Sequence, residues 1–557
     1  MKSVLLVAAS VATLMTSMAA TAREAKPQFT EFEEGFVNPP TDIHVGNGSS
    51  SAPLFFTPSA PTSVVSSFEG ASDYSTRALG IGLIPPDTMG AVGRTQYVEL
   101  INGSFSVYNK ATGLLAAPRV TDSTFWQAAG GTATGGDPRI QFDAQQNRWL
   151  AVGFGSNNAN LQVAVSATSD ALGVWKAATF TGYPGLGFGA TADFPTLAVS
   201  GNSILIGTNN FAPSSAGGAN SFRGTTLNIL NKDQVFAAAG PILTSLKQIN
   251  TPLDGVTDNG FAIQGVNRQG GSSTATVVAS SLYAYDNVVY QVTNAGAPIG
   301  TQTASQIQTG GVSFESPNPG RQPVLGANAR ILATGDERTG TSAFDVNGRT
   351  YFATTVQEIG SDHAVVRVTV MNTATGAVLS QTDIGGGASN VFDYWEGSLA
   401  VNASGQVVVG YNRSGDVTTG VAGRASLFAR SFNTNADGTL AATSGEILVK
   451  ASLVDEYHNG SAFGQASVGR QRWGDYSTVT IDPTNDQRFW LIGEFAREYN
   501  NAAGGHPSGS GFGRWGTYVA QLGVATVSEP ATWALMIGGF GFVGVAARRR
   551  RSGFASA

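Results

Sequence analysis

Cysteine is absent from the 557-residue chain, which excludes disulfides and any metal site built on thiolates. Charge is scarce: Asp, Glu, Lys and Arg make up 13% of residues, against about 25% in ordinary soluble domains. With 71 glycines beside that scarcity, helical bundles and coiled coils are not expected. Positive charge is the rarer sign. With Lys2 and Arg548 to Arg551 set aside as terminal, 27 basic residues face 38 acidic ones, a balance of −11. No basic run interrupts it, so nucleic acid is not an expected partner. The four histidines, His44, His363, His458 and His506, show no metal-ligand spacing, and neither a metal nor a cofactor is expected. There is no Gly-Lys pair to make a P-loop and no G-x-S-x-G to make a serine nucleophile elbow.

What is present is 42% apolar residues, including 30 Phe, 14 Tyr and 8 Trp, which is a composition that must bury a core. Plentiful turn formers between short apolar runs point to an all-β fold.

The two ends read as sorting segments. Lys2, the apolar run Val4 to Met15 and the A-x-A site Ala20-Thr21-Ala22 have the layout of a secretory signal peptide cleaved after Ala22. Residues 531–547 carry no charge and reach the lower length for a membrane-spanning helix. Arg548, Arg549, Arg550 and Arg551 follow directly, which holds that end in the cytoplasm and places the body on the far side. Within this span Gly539, Gly541 and Gly544 fit G-x-G-x-x-G, but the motif lacks its strand and βαβ context and is read as helix packing.

Glu529, Pro530, Trp533, the Gly-rich span and the arginine cluster resemble the PEP-CTERM sorting signal of Gram-negative bacteria, in its Trp-Ala variant. Ser528 stands where that pattern has its first proline. The resemblance implies recognition by an exosortase in the inner membrane, cleavage near the tripeptide and delivery to the cell surface. The alternative is a plain C-terminal anchor.

Four divisions follow: a signal peptide at 1–22, a Pro/Ser-rich leader at 23–80 with room for one strand, a body at 81–524 and the sorting segment at 525–557. The body carries a crude repeat. Asp137, Asp193, Asp393 and Asp475 each open a polar start, a strand, a turn rich in Asp, Asn or Gly, and a second apolar strand, with weaker copies from Asp87, Ala262 and Asp336. Such hairpins at this spacing predict a β-propeller of about seven blades, with six or eight also compatible. A final strand over Trp515 to Ala520 is placed to close the ring against an early one. Thr168 to Trp175 resembles the Asp-box of sialidase-like exported bacterial β-propellers, with one extra residue between Asp170 and Gly173. That resemblance implies that Asp170 caps a hairpin turn and Trp175 packs beneath the blade, and so it speaks to fold.

Candidate chemistry is sparse. Asn433 to Gly438 approaches a calcium loop, but Ser444 stands where the bidentate Glu is needed, and a hairpin turn is the better reading. Arg472, Trp473, Asp475 and Tyr476, followed by Asp482, Asn485 and Asp486, form the densest cluster of functional side chains. The segment could offer an aromatic and a carboxylate to a sugar at the propeller mouth, or simply open a blade. Arg139, Arg338 and Arg413 lie in different repeats and could meet at the centre, as a sialidase clamp requires, without any one being assigned. The expected function is a non-enzymatic surface module binding or organising extracellular polysaccharide or matrix. The alternative is a polysaccharide-cleaving hydrolase or lyase on the same scaffold.

Overall fold

The computed structural model describes residues 62–524 except 135, 157, 184–190, 213–220, 255, 272, 285, 309–313, 324–329, 388, 417–420, 458–468 and 500–512. The signal peptide, the sorting segment, His44, His458 and His506 therefore lie outside the described residues. Within them the chain is almost entirely strand, with three short helices.

The strands form antiparallel meanders, each drawn from one stretch of chain except the last. The first contains Gly90–Val92, Gln96–Ile101 and Ser104–Asn109. The second contains Arg139–Asp143, Arg148–Phe154, Asn160–Ser166 and Trp175–Thr181. The third contains Ala198–Ser200, Ser203–Ala212, Ser221–Asn231 and Lys247–Pro252. The fourth runs from Phe261–Arg268 through Thr274–Ser280 and Asn287–Thr293 to Thr303–Gln308. The fifth runs from Ala343–Val346 through Arg349–Gln357 and Ala364–Asn372 to Val378–Ile384. The sixth contains Asp393–Val401, Gln406–Ser414 and Ser426–Thr434, with Leu440–Ala442 and Ile447–Lys450 sharing its outer edge. The last contains Thr478–Ile481, Arg488–Tyr499 and Gly513–Gly523, and its outer strand is the early segment Ser63–Ser72.

The first strands of these sheets make a closed circuit. Those of the third, fourth and fifth sheets pair in parallel with one another. The fifth lies beside the sixth, the sixth beside the last, the last beside the first, and the first beside the second. The second is tied back to the third by Gln141 Nε2 donating to Leu197 O at 3.4 Å and Arg139 Nε to Pro195 O at 2.5 Å. Sheets standing radially around a common axis are a β-propeller.

Burial follows from that geometry. Middle strands such as Arg148–Phe154 and Ala364–Asn372 are buried on both faces because a neighbouring sheet covers each face. Of the outer strands, Ser63–Ser72 is largely open to solvent and Val378–Ile384 is half-buried. The core is accordingly divided among the interfaces. Leu150, Val152, Ile204 and Ile206 lie between the second and third sheets, while Ala400, Val408, Leu491 and Leu522 lie between the sixth and last.

Within the stretch 23–80 the strand Ser63–Ser72 pairs into the last sheet. It pairs with the very strand, Gly513–Gly523, that was expected to close the ring. Glu99 locks this seam, accepting from Ala71 N at 3.1 Å, Tyr108 Oη at 2.6 Å and Thr517 Oγ1 at 2.5 Å. The Asp-box segment turns between Asn160–Ser166 and Trp175–Thr181. Asp170 Oδ1 there accepts from Leu172 N at 3.0 Å, and Trp175 packs on Phe125. Asn435 and Asp437 occupy a hairpin turn, with Thr439 N donating to Asp437 Oδ1 at 2.9 Å.

Candidate functional site: a carboxylate and arginine mouth

Each first strand begins at the same end of the axis, and Asp87, Asp137, Asp193, Asp336 and Asp475 gather there, while Asp393 lies apart beside His363 and Arg321. Asp475 N donates to Asp87 Oδ1 at 2.9 Å. Asn102 bridges two sheets, donating to Asp87 Oδ2 at 2.8 Å and accepting from Asp137 N at 2.9 Å. Phe194 N, beside Asp193, donates to Asp137 Oδ2 at 3.3 Å. The backbone repeats too: Asp87, Asp137, Phe194, Ala262 and Glu396 all take positive φ near 50° at the entrance to a first strand. Phe, Ala and Glu do not favour that region, so tertiary packing holds them in it.

Two of the three arginines considered for a central clamp converge. Arg139 is fully buried, with Cζ 3.4 Å from the Tyr476 ring centroid and 4.9 Å from that of Phe194. Arg338 grips Asp336 through Nε at 2.5 Å and Nη2 at 2.7 Å, stacks 4.4 Å from Phe194, and reaches Asp475 Oδ2 at 3.8 Å. Arg413 lies elsewhere, paired with Glu446 over Phe392 and Phe428.

The segment 472–476 divides between the mouth and the core. Arg472 remains at the mouth, bonded to Asp475 at 3.1 Å, and both are partly exposed. Trp473 is wholly enclosed, edge-on to Trp395 and Tyr457, and so is no ligand contact. Tyr476 is buried as well, its hydroxyl donating to Pro138 O at 3.1 Å, because it forms the floor on which Arg139 stacks. Asp482, Asn485 and Asp486 lie at the other end of the axis, separated from Asp475 by the strand Thr478–Ile481.

Electrostatics distinguish the carboxylates. Burial, reinforced by the charge of Asp475, pushes Asp87 up to about 7. Burial and the charges of Asp87 and Asp475 raise Asp137 to about 7. Burial and the charges of Asp137 and Asp475 raise Asp193 to about 8. Glu396 rises to about 8 through burial and Asp475, and burial lifts Glu494 behind it well above its ordinary value. At Asp475 burial pushes upward, but Arg472 and Arg338 outweigh it and hold the carboxyl below its usual range. Groups driven apart in this way can divide acid and base roles.

The cavity bounded by Asp336, Arg338, Glu396, Asp475 and Tyr476 measures about 20 Å³, space for a single water. At the opposite end a cavity of about 890 Å³ is lined by Gln141, Asn267, Asn402, Asp482 and Asp486, among others. Six of the charged groups there form pairs: Lys232 with Asp143 at 3.1 Å, Arg268 with Asp345 at 3.4 Å, and Lys110 with Asp482 at 2.7 Å.

Among the described residues no group of three or more His, Cys, Asp or Glu side chains is arranged to hold a metal ion. His363 is structural, lying 3.1 Å from Asp393 Oδ1 and 2.8 Å from Arg321 Nη1. The mouth residues that sequence reasoning missed are Glu396 and Glu494. Both lie inside strands whose pattern is otherwise that of a buried element. Asp87, Asp137, Asp193, Asp336 and Asp475 did carry a signal, since each opens a repeat.

Comparison with known proteins identifies residues 526–551 as a PEP-CTERM protein-sorting motif. No curated protein is a significant match to the chain. Solved structures with a similar course of chain include a protein of unknown function from Dyadobacter fermentans, at 10% identity. That match covers 83% of this chain and 99% of the other, with a TM-score of 0.36. A GH93 α-L-arabinofuranosidase of Fusarium graminearum matches at 10% identity over 59% and 92%, with a TM-score of 0.31. A Trypanosoma rangeli sialidase matches at 10% identity over 67% and 52%, with a TM-score of 0.31.

Proposed function

We infer that the sorting motif directs this chain through the membrane to the cell surface by exosortase-type machinery. We propose that its body is a seven-bladed propeller, one blade for each sheet, that binds extracellular polysaccharide at the carboxylate and arginine mouth without cleaving it. The observation that carries this reading is the small cavity beside Asp475 and Glu396. It holds about one water, and Asp87, Arg139 and Glu396 are buried beneath the partly exposed Asp475 and Arg472. A ligand there meets a rim, not a cleft that could enclose and distort a sugar ring. Arg338 is held by Asp336 and Arg472 by Asp475, so these two arginines already carry carboxylate partners.

A second reading, hydrolysis of the polymer, is favoured by one observation. Asp475 is held low while Asp193 is raised to about 8 in the same mouth, the split that an acid and base pair needs. The purified chain, mixed with the exopolysaccharide of its own host, separates the two by size-exclusion chromatography with light scattering. Intact polymer carrying protein, with carriage lost in Asp475→Asn, is the expected result. Shortened polymer would replace binding with cleavage, and no association at all would overturn both.

A further inference from the structure

The strand directions determine which end of the propeller the sorting segment leaves. Arg488–Tyr499 starts at the turn 482–487, which rims the large cavity, and Gly513–Gly523 returns to that turn, pairing Gly523 with Arg488. Val524 N donates to Gln487 O at 3.0 Å, so the last described residue is bonded into the cavity rim. Ser63 pairs with Gly523, so the leader enters at the same place. The mouth lies at the opposite end, across the strand Thr478–Ile481, with Asp475 seven residues from Asp482 and so at most about 23 Å away at ~3.3 Å per residue.

We infer that, while the sorting segment is still attached, the propeller stands with its large-cavity end against the membrane and its carboxylate and arginine mouth facing outward. The inference rests on reading 531–547 as a membrane span. Only residues 525–530 separate Val524 from that span, a tether of at most about 25 Å even when fully extended. A tether no more than about as long as the domain is deep keeps the rim that carries Val524 nearer the bilayer than the mouth. The longer connections, such as the one between Thr303–Gln308 and Ala343–Val346, also join at the mouth end, away from the bilayer. The ligand site is therefore presented to the exterior before the chain is released.

Because the chain lacks cysteine, single thiols report position without background. Ala374→Cys lies in an exposed turn at the cavity end, and Ser389→Cys in an exposed connection at the mouth end. Neither touches the mouth residues. The full chain carrying one dye is reconstituted into phosphatidylcholine and phosphatidylglycerol vesicles containing an acceptor on the lipid headgroup. Energy transfer at position 374 is expected to exceed that at 389 by about twofold, given ends up to ~23 Å apart. Equal transfer, or greater transfer at 389, would overturn the orientation while leaving the span intact. Failure of the chain to float with vesicles would remove the span and the orientation together. Either failure leaves polymer binding by the mouth to be judged separately by chromatography.

Discussion

Glu396 is the most exposed to consequence of the buried acids, because it lies beneath the mouth with Asp475 as a neighbour and no ion-pair partner among the described residues. Its folded-state value near 8, like that near 8 for Asp193, stands far above the ~4 of an unfolded carboxyl. Between those limits the folded chain holds protons that the unfolded chain has released. Stability is thus full at the acid end of the window and falls as pH rises through it. The melting temperature is expected to be lower at pH 8.5 than at pH 6, and Glu396→Gln is expected to shrink the difference. A flat or rising profile in the parent protein would refute the buried-acid account. Gly474 tests the same contact sterically, since a Cβ there would be driven into Glu396 Oε1 and would approach Glu494. Gly474→Ala should cost about 1–3 kcal/mol in urea unfolding, the usual penalty of overpacking.

Among the elements, Ser63–Ser72 has the most leverage. It is exposed over most of its length, so it contributes little apolar burial of its own. Its role is to cover the edge of Gly513–Gly523, which would otherwise present unpaired backbone groups to other chains. Removing residues up to 72 should leave a protein that associates through that edge, seen as a rise in mass by light scattering. A truncated chain that stays monomeric would show that the seam is dispensable. Glu99 is the inner fastening of the same seam, with Ala71 N, Tyr108 Oη and Thr517 Oγ1 all turned toward it. Glu99→Ala strands those donors in a buried site and should cost at least about 2 kcal/mol in urea unfolding.

For the whole molecule, the absence of a single core is what a radial arrangement dictates. Several interfaces bury clusters of their own, such as those around Leu205 and Leu491, although one larger cluster links the first four sheets and Tyr476. Leu205, between the third and fourth sheets, and Leu491, between the sixth and last, are both fully buried. Each Leu→Ala change should cost about 2–5 kcal/mol. Because they are remote, the double variant should show the sum of the two within about 0.5 kcal/mol. A markedly smaller combined loss would mean that the ring opens as soon as one interface is weakened.

The chain's own order of residues was sufficient for whatever is local or compositional. The sorting signal is a contiguous stretch whose charges and apolar run act as a unit. The hairpins announce themselves by alternation and turn residues, as at Asp137 to Phe154, and the Asp-box turn by Asp170 and Trp175. Ring closure was legible only in outline, because Trp515 to Ala520 reads as a strand but nothing adjacent to it names Ser63–Ser72 as its partner. The site was decided by tertiary structure alone. Asp87, Asp137, Asp193 and Asp475 each look like the start of a hairpin, and only the closing of the sheets around an axis brings them into one field. That field, not residue type, pushes Asp193 up while Arg472 and Arg338 hold Asp475 down. Trp473 and Tyr476, neighbours of Asp475 in sequence, were sent into the core because the packing of sheets demands large apolar surfaces at the strand entrances. Proximity along the chain carries propensity and motif, whereas desolvation and Coulomb coupling depend on distance through space, which the sequence does not contain.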